Sequence, residues 1–262
     1  MHYSTVFFDL YGTLIDINND EHSTDTWEQF RTYLAKQGAV YDSAEQLRDL
    51  FWTSAAKLRS ARFAEQSPVI DACPVKIAED PAWFDPDYAP LFSMLFENRG
   101  VKAPADSDRV ARAARMFREF STAYMRLFPG AREMLRDLHE QGVQVILLSN
   151  AQRLYTVPEL DKTGLINSFD RIFISSDHGW CKPSPIFFTE AVEATHADPS
   201  HSLMVGNDAN SDIRGANFVH MDSVYLFTSS WPGNDVFPLS QATYNGRGAD
   251  YELVKCVVSG KN

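Results

Sequence analysis

Four short apolar runs constrain this chain more than any other feature: "TVFF" (residues 5–8), "VQVILL" (143–148), "RIFIS" (171–175) and "SLMV" (202–205). Each is rich in β-branched or bulky apolar residues and lacks a regular polar alternation, which suits strands buried on both faces. "SVYLF" (223–227) reads as a fifth. Between them lie segments of helical period: "AREMLRDLHEQG" with Gly142 as its stop, "SPIFFTEAVEATH" and "DIRGANFVH". Alternating strand and helix predicts an α/β fold, a doubly wound parallel sheet with helices on both faces.

Residues 18–127 read differently. No comparable strand run occurs there, and "DTWEQFRTYLAKQG", "SAEQLRDLFWTSAAKLRSARFAEQ" and "SDRVARAARMFREFSTAYMRLF" carry apolar residues at helical spacing. "SPVIDACPVKIAEDPAWFDPDYAP" separates the last two and is too rich in Pro to continue a helix, while its aromatic residues imply that it packs against something. The expected organisation is a core of residues 1–17 and 128–262, interrupted by an inserted all-helical domain of residues 18–127. No internal repeat or low-complexity segment appears.

A chain of 262 residues with 44% hydrophobic content can bury a large core. Its net charge of −11 argues against nucleic acid and anionic membrane surfaces as partners. No apolar run approaches the roughly 20 residues that span a bilayer, and no signal peptide is visible. Cys73, Cys181 and Cys256 are scattered without metal-type spacing, as expected in a reduced, cytoplasmic setting.

Ligands of open α/β sheets sit at the carboxyl ends of the strands. Read there, the sequence offers Asp9, then Ser149 and Asn150, then Lys182, then Asn207 and Asp208 with Asp212. Taken singly, each has a plain structural reading. Asp9 would be a turn or cap residue, Ser149-Asn150 a helix N-cap, Lys182 a solvated loop lysine, and Asp208 with Asp212 a helix start. Their coincidence at successive strand ends points instead to a site. An aspartate there can act as a nucleophile, with Lys182 and a divalent cation neutralising the transferred group. Mg²⁺ typically takes one or two protein carboxylates, together with water and phosphate oxygens.

In that order, "DLYGTL", "LLSNA", "CKPSPIFF" and "VGNDANSDIRGA" resemble the four successive motifs of the haloacid dehalogenase (HAD) superfamily. The resemblance covers residues 1 to 17 and about 128 to 230. It implies Asp9 as nucleophile, with Ser149, Asn150 and Lys182 holding the transferred group. It also implies Mg²⁺ bound by the Asp9 side chain, the main-chain carbonyl of Tyr11 and Asp208, with Asn207 and Asp212 in support. The insert resembles a mobile cap that closes over a small-molecule substrate. A monomer or homodimer is expected.

Tyr11 departs from the phosphatases of that superfamily, where a second aspartate protonates the leaving alcohol and then activates water. A phenol near pKa 10 is a weak base at neutral pH, and acid–base help is worth about 10² to 10⁴ in rate. The first motif instead resembles that of the 2-haloacid dehalogenases, whose leaving halide needs no proton and which use no metal. The fourth motif is phosphatase-like at Asp208. The dehalogenases' halide-binding cap arginine has no clear match; Arg59 and Arg62 in and beyond "LFWTSAAKLR" are the substitutes considered. Three readings follow: an Mg²⁺-dependent phosphohydrolase, favoured; a dehalogenase-like C–X hydrolase; and a non-catalytic phosphoryl- or partner-binding protein.

Other residues carry two readings each. His178 is read as a surface histidine or a crevice group, and Asp16 and His22 as hinge residues or the missing acid. Trp83, Phe84, Tyr88, Phe92 and Phe96 are read as packing of the insert or as a pocket wall. The tail, with "SSWPGND" and "YNGRG", is read as loops.

Overall fold

The structure is a computed structural model that describes residues 2–76, 79–228 and 236–260. Its centre is a six-stranded sheet. In chain order the strands are β1 (Thr5–Phe8), β5 (Gln144–Ser149), β6 (Arg171–Ile174), β8 (Ser202–Gly206), β9 (Asp222–Phe227) and β10 (Tyr244–Arg247), with the intervening numbers given to two small ribbons below. The spatial order is β10-β9-β8-β1-β5-β6, every pair parallel. β1 lies between β5 and β8, so the chain reverses direction across the sheet at β1. A crevice opens at such a switch point, at the carboxyl ends of the strands.

Period-two geometry sends alternate side chains of each strand to opposite faces. Val6, Phe8, Val145, Leu147, Leu203 and Val205 meet helices α6 (Ala131–Glu140) and α11 (Tyr251–Ser259) in one core. Phe7, Ile146, Leu148 and Met204 meet α9 (Pro185–Thr195) and α10 (Arg214–Phe218) in another. This is the expected doubly wound sheet.

The inserted stretch has a core of its own. Helices α1 (Thr24–Lys36), α2 (Ala44–Ala64), α4 (Ala89–Glu97) and α5 (Asp108–Ser121) bury Trp27, Phe30, Phe51, Phe92, Phe96 and Phe117 against one another. Ser23, Ser43 and Ser107 cap α1, α2 and α5 by accepting first-turn amide bonds.

Three local expectations change. The run ending "STAYMRLF" does not continue α5: β4 (Thr122–Leu127) pairs antiparallel with β2 (Ile15–Asn19). This two-stranded ribbon is where the chain leaves and re-enters the sheet domain. Within the Pro-rich segment, a short helix α3 (Ser67–Ala72) precedes β3 (Phe84–Asp85). β3 pairs with β7 (Gly179–Trp180), and Phe84 stands edge-on to Trp180 at 5.3 Å. The tail is not all loop either: "YNGR" is the sixth strand of the sheet, and α11 packs beneath it. "SSWPGND" lies outside the described residues. Two further helices, α7 (Arg153–Lys162) and α8 (Ser175–His178), follow β5 and β6. No helix among the described residues is long and apolar enough to cross a membrane.

Candidate active site

The amide of Asp9 donates to the carbonyl of Val205 at 2.9 Å, fixing residue 9 at the joint carboxyl end of β1 and β8. The chain then turns through Gly12, whose φ of +83° favours glycine and where a Cβ would lie 2.2 Å from Asn207 Nδ2. Asn207 packs into that space and its Oδ1 accepts from Thr13 Oγ1 at 3.3 Å. The first and fourth strand ends are thereby locked together.

Lys182 arrives from the loop after β7. Asn150 holds its main chain by a reciprocal pair, Lys182 N to Oδ1 at 2.7 Å and Nδ2 to Lys182 O at 2.9 Å. The Pro-rich segment supports the same loop, because Cys181 N donates to Trp83 O at 2.8 Å. The Lys182 side chain is 1% exposed. Its Nζ donates to Asp9 Oδ1 at 2.7 Å and to the Leu148 carbonyl at 2.6 Å, and forms an ion pair with Asp212 Oδ1 at 2.8 Å. Burial alone would lower the ammonium pKa, but the charges of Asp212 and Asp9 outweigh it and hold the group protonated. For Asp212 burial pushes the carboxyl upward while Lys182 opposes it. Asp212 Oδ2 accepts the amide of Asp208 at 3.0 Å, and Asp208 Oδ1 accepts the amides of Asn210 and Ser211. The side-chain hydroxyl of Ser149 is buried beside this set without a hydrogen-bond partner. Such a group in a native interior calls for an explanation, and a ligand oxygen supplies one.

Asp9, Tyr11, Asn150, Asn207, Asp208 and Ser211 line a cavity of about 100 Å³. Ser149, Lys182 and Asp212 lie in its buried surroundings. Of the eight residues expected at the site, Asp9, Tyr11, Asn150, Asn207 and Asp208 line this cavity, Lys182 and Asp212 are bonded to that lining, and Ser149 follows Leu148, whose carbonyl accepts from Lys182. Asn150 is committed through both ends of its amide to the Lys182 loop. Among the described residues no group of three or more His, Cys, Asp or Glu side chains could hold a metal ion. Asp9 and Asp208 do present two carboxylates to the cavity, a number compatible with Mg²⁺ completed by other oxygens.

The hydroxyl of Tyr11 is committed to α7. It donates to Glu159 Oε2 and lies 3.2 Å from Thr156 Oγ1, both on α7. Glu159 Oε1 accepts from Arg118 Nε at 2.8 Å, and Arg118 Nη1 reaches Glu21 Oε1 at 3.1 Å. The guanidinium lies 5.1 Å from the centre of the Tyr11 ring and 4.8 Å from that of Tyr155. Burial first, then Glu159, raises the phenol pKa further, so Tyr11 is neither base nor ready acid at neutral pH. Residues from the helical unit, the sheet domain and the connection between them thus meet at one phenol.

Beside the small cavity, and sharing Tyr11 and Asn150 with it, lies a chamber of about 670 Å³. Trp52 and Tyr88 of the helical unit and Asp85 line it. Asp85 accepts from Gln152 Nε2 at 3.0 Å and from Ser175 Oγ at 2.5 Å, and burial pushes its carboxyl up to about 6. The remaining residues fall into place around these cavities. His178 contacts Glu190 at 3.1 Å and packs on Phe173 and Phe187, lining neither. Asp16 pairs with Arg126 on the β2/β4 ribbon at 2.7 Å. His22 lines the chamber with its ring 4.7 Å from Trp52. Arg59 reaches the Tyr88 hydroxyl and Arg62 pairs with Glu65 in solvent, so neither faces Asp9. Of the aromatic set, Tyr88, Phe92 and Phe96 join the helical core, Phe84 joins the sheet domain's, and Trp83 packs at Phe218.

A match to the haloacid dehalogenase-like hydrolases covers residues 3–220. The chain belongs to this family. Among curated relatives, ribulose-1,5-bisphosphate 5-phosphatase of Halopiger xanaduensis is 31% identical over 61% of this chain and 67% of its own length. Glyceraldehyde 3-phosphate phosphatase of Pyrococcus abyssi is 33% identical over 40% of this chain and 44% of its own. The chain spans about half the length of several other curated relatives that it matches. Two solved structures show the same fold. A HAD phosphatase from Thermococcus onnurineus superposes with a TM-score of 0.57 at 19% identity, covering 97% of each chain. A 2-haloacid dehalogenase from Pseudomonas syringae also gives 0.57 at 19% identity, over 99% of this chain and 100% of that one. The equal scores leave the choice of chemistry to the site.

Proposed function

We propose that this HAD-family hydrolase is a phosphohydrolase acting on a small phosphorylated metabolite, with Mg²⁺ as cofactor and an aspartyl-phosphate intermediate. The observation that carries the reading is the buried Lys182 ammonium between Asp9 and Asp212, with an unpartnered Ser149 hydroxyl beside it. The named activities of the relatives above support the phosphate reading. Asp9 is the nucleophile: Lys182 holds Oδ1, leaving Oδ2 to attack phosphorus. The P–O bond to the alcohol breaks, the leaving oxygen takes a proton from solvent water, and a further water then attacks phosphorus, breaking the bond to Asp9 and releasing phosphate. Ser149 donates to a phosphoryl oxygen, and Lys182 supplies a positive charge that needs no reorganisation. Asn150 acts by holding the Lys182 loop.

Asp9, Asp208 and the Tyr11 carbonyl would hold Mg²⁺, with Asn207 and Asp212 supporting them. The bound ion would neutralise phosphoryl oxygens and so favour the attack of one anion on another. Charge alone argues for such a cation. Asp9, Asp208 and Asp212 against Lys182 leave a surplus of negative charge, before a phosphate dianion arrives. In this reading residues 1–17 and 128–262 form the core and residues 18–127 the cap. Three free cysteines accord with a cytoplasmic setting.

The neutral, committed Tyr11 gives a dehalogenase reading its one specific support, because a halide leaves without a proton. A panel of phosphorylated metabolites and 2-haloacids, assayed for phosphate and halide with Mg²⁺ and with chelator, tests both. Mg²⁺-dependent phosphate release is expected. Halide release that survives the chelator would replace the proposal with the dehalogenase.

A further inference from the structure

The chamber next to the reaction cavity has room and chemistry that a small anionic leaving group does not use. Its volume of about 670 Å³ lies in the range of pockets for drug-sized ligands, about 300–1,000 Å³. A two- or three-carbon alcohol would leave most of it to water. One wall is an aromatic corner: the Trp52 and Tyr88 rings meet at 77° with centroids 6.4 Å apart. Both rings come from the helical unit and face the chamber.

The charges point the same way. Among the described residues, Asp20, Glu21 and Asp85 line the chamber against one permanent cation, Arg118, with the imidazole of His22 beside Trp52. That guanidinium is already matched by Glu21 at 3.1 Å and Glu159 at 2.8 Å, and is flanked by the Tyr11 and Tyr155 rings. Among the described lining residues none is a permanent cation free to receive a second phosphate or a carboxylate, and Arg59, which does not line the chamber, is bonded to the Tyr88 hydroxyl at 3.3 Å. An anion placed here would face three carboxylates in a partly desolvated space, where charge repulsion is strong.

We infer that the chamber holds a bulky, ring-bearing alcohol without a second anionic group. Resting on the hydrolase reading above, this makes the substrate class the phosphate monoesters of neutral aromatic alcohols, not sugar bisphosphates or phosphorylated acids. Trp52 and Tyr88 receive the ring, and the carboxylates reject competitors that carry a further negative charge.

Binding tests the inference better than turnover, because an aryl oxide is an easier leaving group whatever surrounds it. Calorimetry on full-length Asp9→Asn protein with Mg²⁺ should give 2-naphthyl phosphate an affinity at least about tenfold above phosphoglycolate and fructose 1,6-bisphosphate. Trp52→Leu in that background should erase the difference, with the binding of glycerol 3-phosphate unchanged. Equal or tighter binding of either anionic competitor overturns the inference, as does a preference that survives Trp52→Leu. Binding of none of these esters overturns it too. Phosphate release from acetyl phosphate by the wild type, which needs no leaving-group chamber, then shows separately whether the hydrolase reading stands.

Discussion

Replacing Arg118 by Met should be the most destabilising single change at the contact between the helical unit and the sheet domain. Its side chain is 8% exposed and joins Glu21 and Glu159, whose side chains are 20% and 10% exposed. Met keeps most of the stem that packs between the Tyr11 and Tyr155 rings, so the loss is mainly one of charge. Removing one partner of a buried ion pair typically costs about 3–5 kcal/mol, because a carboxylate is left in a poor solvent. At roughly 2–4 °C per kcal/mol for a domain of this size, the melting temperature should fall by roughly 6–20 °C.

The cost should depend on pH, with a sign that follows from Glu21. Burial already raises its carboxyl above the ordinary range against the pull of Arg118, and without Arg118 it rises further. A carboxyl whose folded pKa is raised contributes its stability below the unfolded pKa and loses it as pH rises through the folded value. The variant should therefore be closest to wild type near pH 5 and furthest from it near pH 8. Urea unfolding followed by tryptophan fluorescence at both pH values measures this. Adding Glu159→Gln should recover part of the loss, since one stranded charge goes with it. A cost under about 1 kcal/mol at both pH values, or strict additivity with Glu159→Gln, would refute the argument.

Asp9→Asn should abolish hydrolysis of any confirmed substrate while the protein stays folded; half the activity remaining would exclude Asp9 as nucleophile. Mg²⁺ should raise the melting temperature of the wild type and not of Asp208→Ala, and equal shifts in thermal scans would place the ion elsewhere. Asp85→Asn should stabilise the protein above pH 6, by up to about 3 kcal/mol, because burial raises this carboxyl from 3.8 to about 6. The advantage should shrink as pH falls from 6 and close by about pH 3, below 3.8, where wild-type Asp85 is protonated in both states; an advantage constant across that range would mean that charge is not its source.

The strands of the sheet were legible because burial on both faces demands unbroken apolar runs, and the candidate site's residues could be picked out because they follow those runs. β4 was hidden by its own composition. "STAYMRL" continues the apolar spacing of α5, and only pairing with residues 15–19 makes it a strand. Locally the break is a hydroxyl effect: Ser121 and Thr122 both donate to the Arg118 carbonyl, closing the helix. "YNGR" carries turn residues, and its place beside β9 is a tertiary override of that preference. Glu21, Arg118 and Glu159 could not have been grouped from sequence. They lie on three segments with no local pattern, 97 and 41 residues apart, and meet only when the helical unit closes on the sheet domain.

That meeting changes what Tyr11 means. From sequence alone the position reads as a lost acid–base group. In the fold the ring bridges two units: its hydroxyl serves Glu159, and its ring lies against Arg118. A carboxylate at position 11 would be too short to copy the bond to Glu159 and would bring a third acid to a cluster with one arginine. The same phenol lines both the reaction cavity and the chamber beside it. On the phosphohydrolase reading proposed above, Tyr11 would forgo acid–base help, worth about 10² to 10⁴ in rate, and place a neutral group in the wall between Asp9 and the chamber. Such an exchange suits a substrate whose alcohol leaves with little protonic help, as an aromatic oxide does. The character of Tyr11 and the character of the chamber point to the same kind of ester.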